Sequence, residues 1–286
     1  LAEGDPRIIL AAMDEDTGKK FSFPLPRDVH AKLLDKLKDY GVKTVSFDVM
    51  FFEPKSKSED RALIDATKRF KKAIHLNQTR TESTPHGDVV SVNNPIPGLG
   101  EAAELLGYPN IDLIIDNDGH VRRSLLFDVR INDPRDQNAV APSMDIAAVS
   151  SFLDRPMSEL RAHYAEPEPI VNLIHFRKPK VFLMHEKRDR KVAHEVANLP
   201  KVVSPYRTIS IMDILSGELT PEEKKALKGA LVVVGSTTLG YFDHYPTPFN
   251  PTAPGAEYHC NNIDNIIHDD FLKMPARSWF LLLILA

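Results

Sequence analysis

The spacing of apolar residues changes period several times along the chain. Residues 7–13 (RIILAAM) form a short continuous apolar run ending at Asp14, the pattern of a strand buried on both faces. Val29, Leu33, Leu34, Leu37 and Tyr40 then recur at helical spacing and predict a helix over 28–40, with Gly41 as its stop. Residues 44–50 (TVSFDVM) return to a strand pattern that carries Asp48 near its end. A charged helix is predicted over 59–71, with Leu63, Ile64 and Phe70 on one side, followed by a third strand over Ala73–Leu76. Strand, helix, strand, helix, strand is the signature of a parallel α/β sheet.

The later stretch of the chain is less regular. Residues 78–98 are polar with scattered prolines and read as a loop or a hairpin insertion; a short helix is expected over 99–106. Strands over 112–115 and 124–131 flank Asp116-Asn117-Asp118-Gly119, a good turn sequence, and a helix follows over 142–153. Between 166 and 203 the pattern supports a strand over 170–176, an apolar patch over 181–184 and a charged, solvated stretch over 186–195. Short helices are predicted over 211–215 and Pro221–Leu227. An apolar strand over 230–234 opens into Gly235-Ser236-Thr237-Thr238, and the last helix, over 256–268, turns Cys260, Ile263, Ile266 and Ile267 inward. The expected fold class is a single α/β domain, with a mostly parallel central sheet flanked by helices and a β-hairpin insertion.

Composition narrows the function. The 286 residues, 42% of them hydrophobic, suffice for a sizeable core. A formal net charge of -4 argues against a nucleic-acid partner, which calls for a basic excess. Cys260 is the single cysteine, which rules out an internal disulfide and a four-thiolate zinc site. Leu1 in place of methionine reads as an excerpt or a processed chain. From Trp279 to Ala286 every residue is apolar, and Arg277 and Trp279 suit an interfacial anchor. Residues 278–286 are expected to begin a membrane-spanning helix, which needs about 20 such residues, and residues 1–277 to form the folded domain; the alternative for the tail is a C-terminal core helix.

Few motifs carry chemistry. Residues 235–240 follow an apolar strand like a phosphate loop, but Tyr241 stands where lysine is needed, so a tight turn is expected instead. Asp14-Glu15-Asp16-Thr17-Gly18 has the spacing of the haloacid-dehalogenase nucleophile motif, giving an alternative phosphohydrolase reading on Asp14 and Asp16. The segment from Asp116 begins like a calcium loop, but its distal glutamate position is Phe127. No HExxH, HxH or Gly-x-Ser-x-Gly occurs. In parallel sheets ligands bind outside the carboxyl ends of the strands, where Asp14, Asp48 and the Gly235 loop are predicted to lie, with Asp243 close behind. The candidate ligand-binding residues are Asp14, Asp48, Asp60, Ser236, Thr237 and Asp243; Asp14, Asp48 and Asp243 could instead hold a divalent cation. The alternative is that these carboxylates only cap helices and fix loops.

In order along the chain, these pieces resemble the second class of CHASE domain, a cyclase- and histidine-kinase-associated sensory extracellular domain. The resemblance rests on IILAAMDED, on Phe23-Pro24-Leu25-Pro26-Arg27 before a helix, and on the strand from Gly41 to Asp48 with Phe51 and Glu53-Pro54. It continues with Asp60 to Leu63, Asp116 to Arg123 and Pro142-Ser143. It closes on the Val-Val-Gly-Ser-Thr strand, Asp243 with Thr247-Pro248, and Pro254-Gly255-x-Glu257-x-His259. Phe23 in place of the commoner tryptophan, the shortened approach at 18–20 and the insertion at 186–195 depart from the pattern. The resemblance implies a non-catalytic input domain on the extracytoplasmic, periplasmic side of a bacterial inner membrane. The implied output is a nucleotide cyclase or a histidine or Ser/Thr kinase. The implied partners are a small-molecule or ion ligand, the membrane through the C-terminal segment, and a second copy in a homodimer. A structural or dimerising spacer is the further alternative.

Overall fold

The computed structural model describes residues 3–84, 87–109, 115–128, 141–165, 171–178, 180–182, 201–238 and 243–272. Six strands form one sheet: β1 (Ile8–Met13), β2 (Thr44–Phe47), β3 (Ala73–Leu76), β4 (Leu105–Gly107), β5 (Arg207–Ser210) and β6 (Leu231–Ser236). Their order is β5-β1-β6-β2-β3-β4, and every neighbouring pair is parallel. This is the expected α/β class. The hairpin insertion is present as Gln78–Thr84 paired with Gly87–Asn93.

Both faces of the sheet are covered, so its strands read as apolar runs rather than alternations. Ile9, Ala11, Met13, Val45, Phe47, Val232 and Val234 enter one core. Ile8, Leu10, Ile74, Leu76, Leu231 and Val233 enter the other. The first face carries α1 (Glu15–Phe21), α2 (Arg27–Asp39), α3 (Lys57–Phe70) and the short α4 (Leu99–Ala102). In α2, Val29, Leu33, Leu34 and Leu37 are buried, each contributing about 1.5–3 kcal/mol relative to exposure. Ser56 caps α3 by accepting from the Glu59 amide, which places the helix start two residues before the predicted one. The second face carries α5 (Met144–Leu153) and α6 (Met157–Tyr164). Ser143 caps α5, and Met144 through Phe152 are all buried. A helix sunk in a core on all sides shows no amphipathic stripe. The short helices α7 (Ile211–Ser216) and α8 (Pro221–Leu227) return to the first face, and α9 (Gly255–His268) closes the second.

Several expectations need correction. The helix predicted over 99–106 stops at Ala102, and Leu105–Gly107 becomes the edge strand β4. Gly107 explains the tight packing there, because a Cβ would lie 2.5 Å from the Met144 backbone. The strand predicted over 44–50 ends at Phe47, and β5, α1 and α6 carry no expectation in the sequence pattern. The predicted strand over 124–131 is two short pieces, Arg123–Leu125 and Phe127–Asp128, and residues 129–131 lie outside the described ones. Residues 112–114, 183–200, Tyr241 and 278–286 also lie outside, so most of the predicted strand at 112–115, half of the apolar patch, the charged stretch and the apolar tail receive no structural account. Among the described residues no helix is long and apolar enough to cross a membrane.

The topology places a crevice. The chain leaves β1 and β2 toward helices of the first face, but leaves β6, which lies between them, toward α9 on the second. Adjacent strands whose connections diverge leave a gap outside their carboxyl ends, the usual ligand position in open α/β sheets.

Candidate functional site

The site grows from the register of β6 against β2. Val234 pairs with Phe47, and the Asp48 amide donates to the Val234 carbonyl at 2.8 Å, which sets Asp48 beside Gly235. The missing side chain at 235 is what lets α9 approach: a Cβ there would lie 2.5 Å from the Ala256 Cβ and 3.4 Å from Asp48 Oδ2. Gly255, just before Ala256, likewise permits a close approach, because the Asp243 carboxylate lies directly against it and its amide donates to the Asp243 carbonyl at 3.0 Å.

One helical turn further along α9, His259 is buried between two carboxylates. Its Nδ1 donates to Asp145 Oδ1 at 2.7 Å, the length of a charge-assisted bond. Asn262 Nδ2 donates to the other Asp145 oxygen at 2.9 Å. On its far side, His259 Nε2 lies 4.0 Å from Asp48 Oδ1, too far for a hydrogen bond. Asp48 Oδ2 and His259 Nε2 are both buried with no hydrogen-bond partner. Burial pushes His259 down, but Asp145, then Asp48 and Asp243, outweigh it and raise it to about 9. Burial raises Asp48 to about 7, against the pull of His259 and with further push from Asp243 and Asp145. The result is a histidine held toward its protonated form by Asp145 and facing a carboxyl that burial holds toward its neutral form. Two buried polar atoms that lack partners and face each other make this a place where a donor, an acceptor or a proton gains.

The predicted site residues divide. Asp48 and Asp243 are brought together at the start of α9. Asp14 is not: its Oδ1 accepts from the Thr17 amide at 3.0 Å and the Thr17 hydroxyl at 2.7 Å, capping α1. Asp60 lies elsewhere, in an ion pair with the buried Arg27 and accepting from the Lys55 amide. Ser236 ends β6, and its Oγ accepts from the Thr238 amide at 3.4 Å. The Thr237 amide donates to the Met13 carbonyl at 3.1 Å, so this loop is stitched to β1 rather than offering that N–H to a ligand. Among the described residues no group of three His, Cys, Asp or Glu side chains is placed to hold a metal ion. The expected Asp14–Asp48–Asp243 cation site is therefore not assembled, because Asp14 is spent on its helix and Asp48 faces an imidazolium. Asp16, required by the phosphohydrolase alternative, is exposed and pairs with Lys19 at 2.9 Å. Sequence reasoning missed Asp145 and His259 as site residues. The Pro142-Ser143 and Pro254-Gly255-x-Glu257-x-His259 motifs were the available signal.

A family model described as the CHASE2 domain matches residues 1–286, the whole chain. The chain belongs to the CHASE2 domain family. CHASE2 domains are sensory extracellular domains of cyclase- and kinase-associated receptors, so this segment is a sensory domain. Neither that family nor the geometry of Asp14, which caps α1, and Asp16, which pairs with Lys19, supports the phosphohydrolase reading. No curated protein and no solved structure matches the chain. Four residues from the segments that carry the resemblance meet at one place: Asp48 from the Phe-Asp strand, Gly235 from Val-Val-Gly-Ser-Thr, and Gly255 and His259 from the start of α9.

Proposed function

We propose that this CHASE2 domain is the input domain of a bacterial transmembrane receptor, held on the periplasmic side of the inner membrane. It acts as a homodimer and passes its signal to a cytoplasmic nucleotide cyclase or a histidine or Ser/Thr kinase. Residues 278–286 begin the membrane span that carries the signal. A small-molecule or ion ligand is received outside the strand ends near Asp48, Ser236, Thr237 and Asp243, and α9 shifts relative to the sheet in response. The observation that supports this reading is the under-partnered pair Asp48 Oδ2 and His259 Nε2, which stands where the sheet is tied to α9. A ligand shifts such an equilibrium only by binding the two arrangements differently, and a buried carboxyl poised near neutrality supplies that difference.

The test is Asp48→Asn in the full-length receptor, with output activity measured against stimulus. The expected result is a folded receptor whose response is lost or locked. An unchanged response in a folded Asp48→Asn receptor removes the site and leaves the spacer reading standing.

A further inference from the structure

On the first face of the sheet, beneath the segment that follows Asp48, lies a cleft of ≈ 610 Å³ formed mainly by residues 22–27 and 49–53, with Lys55 and Glu59. That volume lies within the range of small-molecule sites. Its walls are apolar: Phe23, Leu25, Met50, Phe51 and Phe52 line it, and Met50 stands 53% exposed at its mouth. His30 lines it too, buried from solvent, with its ring edge-on to Phe51 at 5.1 Å and its Nδ1 without a hydrogen-bond partner. Burial, with Arg27 nearby, pushes His30 down to about 4, so it presents a neutral ring. An apolar cleft holding one unsatisfied buried polar atom is a site for a ligand with an apolar body and a polar group.

The charged lining is balanced. Arg27 is used up by Asp60 and the Glu53 carbonyl. Glu59 accepts from the Ser56 hydroxyl at 2.6 Å. Among the described residues, the Lys55 ammonium and the Glu53 and Glu59 carboxylates have no charged partner; with Glu59 held by the Ser56 hydroxyl, Lys55 and Glu53 are the cation and the anion that the rim leaves without a hydrogen-bonded partner. We infer that the cleft is a binding site for a small zwitterion with an apolar or aromatic body, of which an apolar amino acid is the simplest example. This site is separate from the Asp48 crevice, whose His259 and Asp145 come from helices of the second face, but is joined to it through one peptide: Val49 lines the cleft and Asp48 precedes it.

The experiment is calorimetric titration of the purified protein with L-phenylalanine, phenylacetate and phenethylamine, which share a ring and differ in charge. The expected result is saturable single-site binding, with the zwitterion tightest. Met50→Glu, at an exposed position, is expected to abolish binding without unfolding the protein. Lys55→Ala is expected to weaken L-phenylalanine about fivefold while leaving phenethylamine unchanged. His30→Phe, which keeps the ring and removes the nitrogen, is expected to weaken all three. Absence of saturable L-phenylalanine binding, or binding that survives Met50→Glu, overturns the site. Equal or tighter binding of either singly charged analogue overturns the zwitterion assignment. None of these outcomes depends on the receptor reading, which is judged separately by the response of Asp48→Asn.

Discussion

The two ends of α9 handle buried charge in opposite ways. At its C-terminal end, Asp264 accepts from Arg177 Nη2 at 2.5 Å and from the Asp5 amide at 2.7 Å. Asp270 holds Arg177 from the other side at 2.7 Å, and Asp5 in turn binds Arg7 at 2.6 Å and His268 at 3.1 Å. Asn265 exchanges two hydrogen bonds with the His175 backbone, and Asn261 accepts from the Arg177 amide. Of these groups only Arg177 Nε lacks a partner among the described residues. At the N-terminal end, by contrast, His259 and Asp48 face each other across 4.0 Å with one atom of each unpartnered. One end of the helix is a clamp between the start of the chain and the strand Val171–Leu173 with its extension. The other end is left unfinished. Buried charge that is fully paired fixes geometry, whereas buried charge left short of partners stores the free energy that a ligand or proton can release.

This contrast can be broken at either end. The largest effect is expected from Arg177→Ala, which leaves Asp264 buried and uncompensated; a loss of about 3–5 kcal/mol in chemical denaturation is expected. A loss below about 1 kcal/mol would show that the clamp is ornamental.

The next effect is a pH dependence. His259 has its folded-state value raised from 6.5 to about 9, so the folded state binds its proton more tightly than the unfolded chain. Its contribution is therefore fully present below about pH 6.5 and is lost as pH rises toward 9, by up to about 3 kcal/mol. Asp48, raised to about 7, adds a fall of the same sign between its ordinary range and neutrality. Stability measured by denaturation across pH 6 to 9 is expected to fall in the unmodified protein and to flatten in His259→Gln. An equally steep fall in that variant would place the titration elsewhere.

The smallest stability effect is expected from Asp48→Asn, which relieves a buried, under-partnered carboxylate while losing its attraction to His259. The two changes offset, and a shift within about 1 kcal/mol is expected in the same denaturation assay. A loss comparable to that of Arg177→Ala would mean that both ends of α9 are structural, and the contrast between them would vanish.

Much of this architecture was readable in the chain. The apolar runs at β1 and β6 and the helical spacing of Val29, Leu33, Leu34 and Leu37 are local signals, and the elements they predict are present. So is the position of Asp48 at a strand end. The edge strands β4 and β5 were not readable, because each is three or four residues long and only their neighbours supply the pairing that makes them strands. The helix α1 was hidden by the same residues that suggested a nucleophile: Asp14 followed by Thr17 is equally the pattern of a capped helix, and the cap is what it forms.

The α/β class, the family and the identity of the residues at the strand ends are written in the chain, because periodicity, turn residues and ordered motifs are local or ordered properties of it. Which carboxylates meet is settled by packing between distant elements. Asp14 and Asp48 look equivalent in sequence, each closing an apolar strand. Burial and pairing separate them: Asp14 turns to its own helix, and Asp48, beside Gly235 and under α9, meets a histidine more than two hundred residues away.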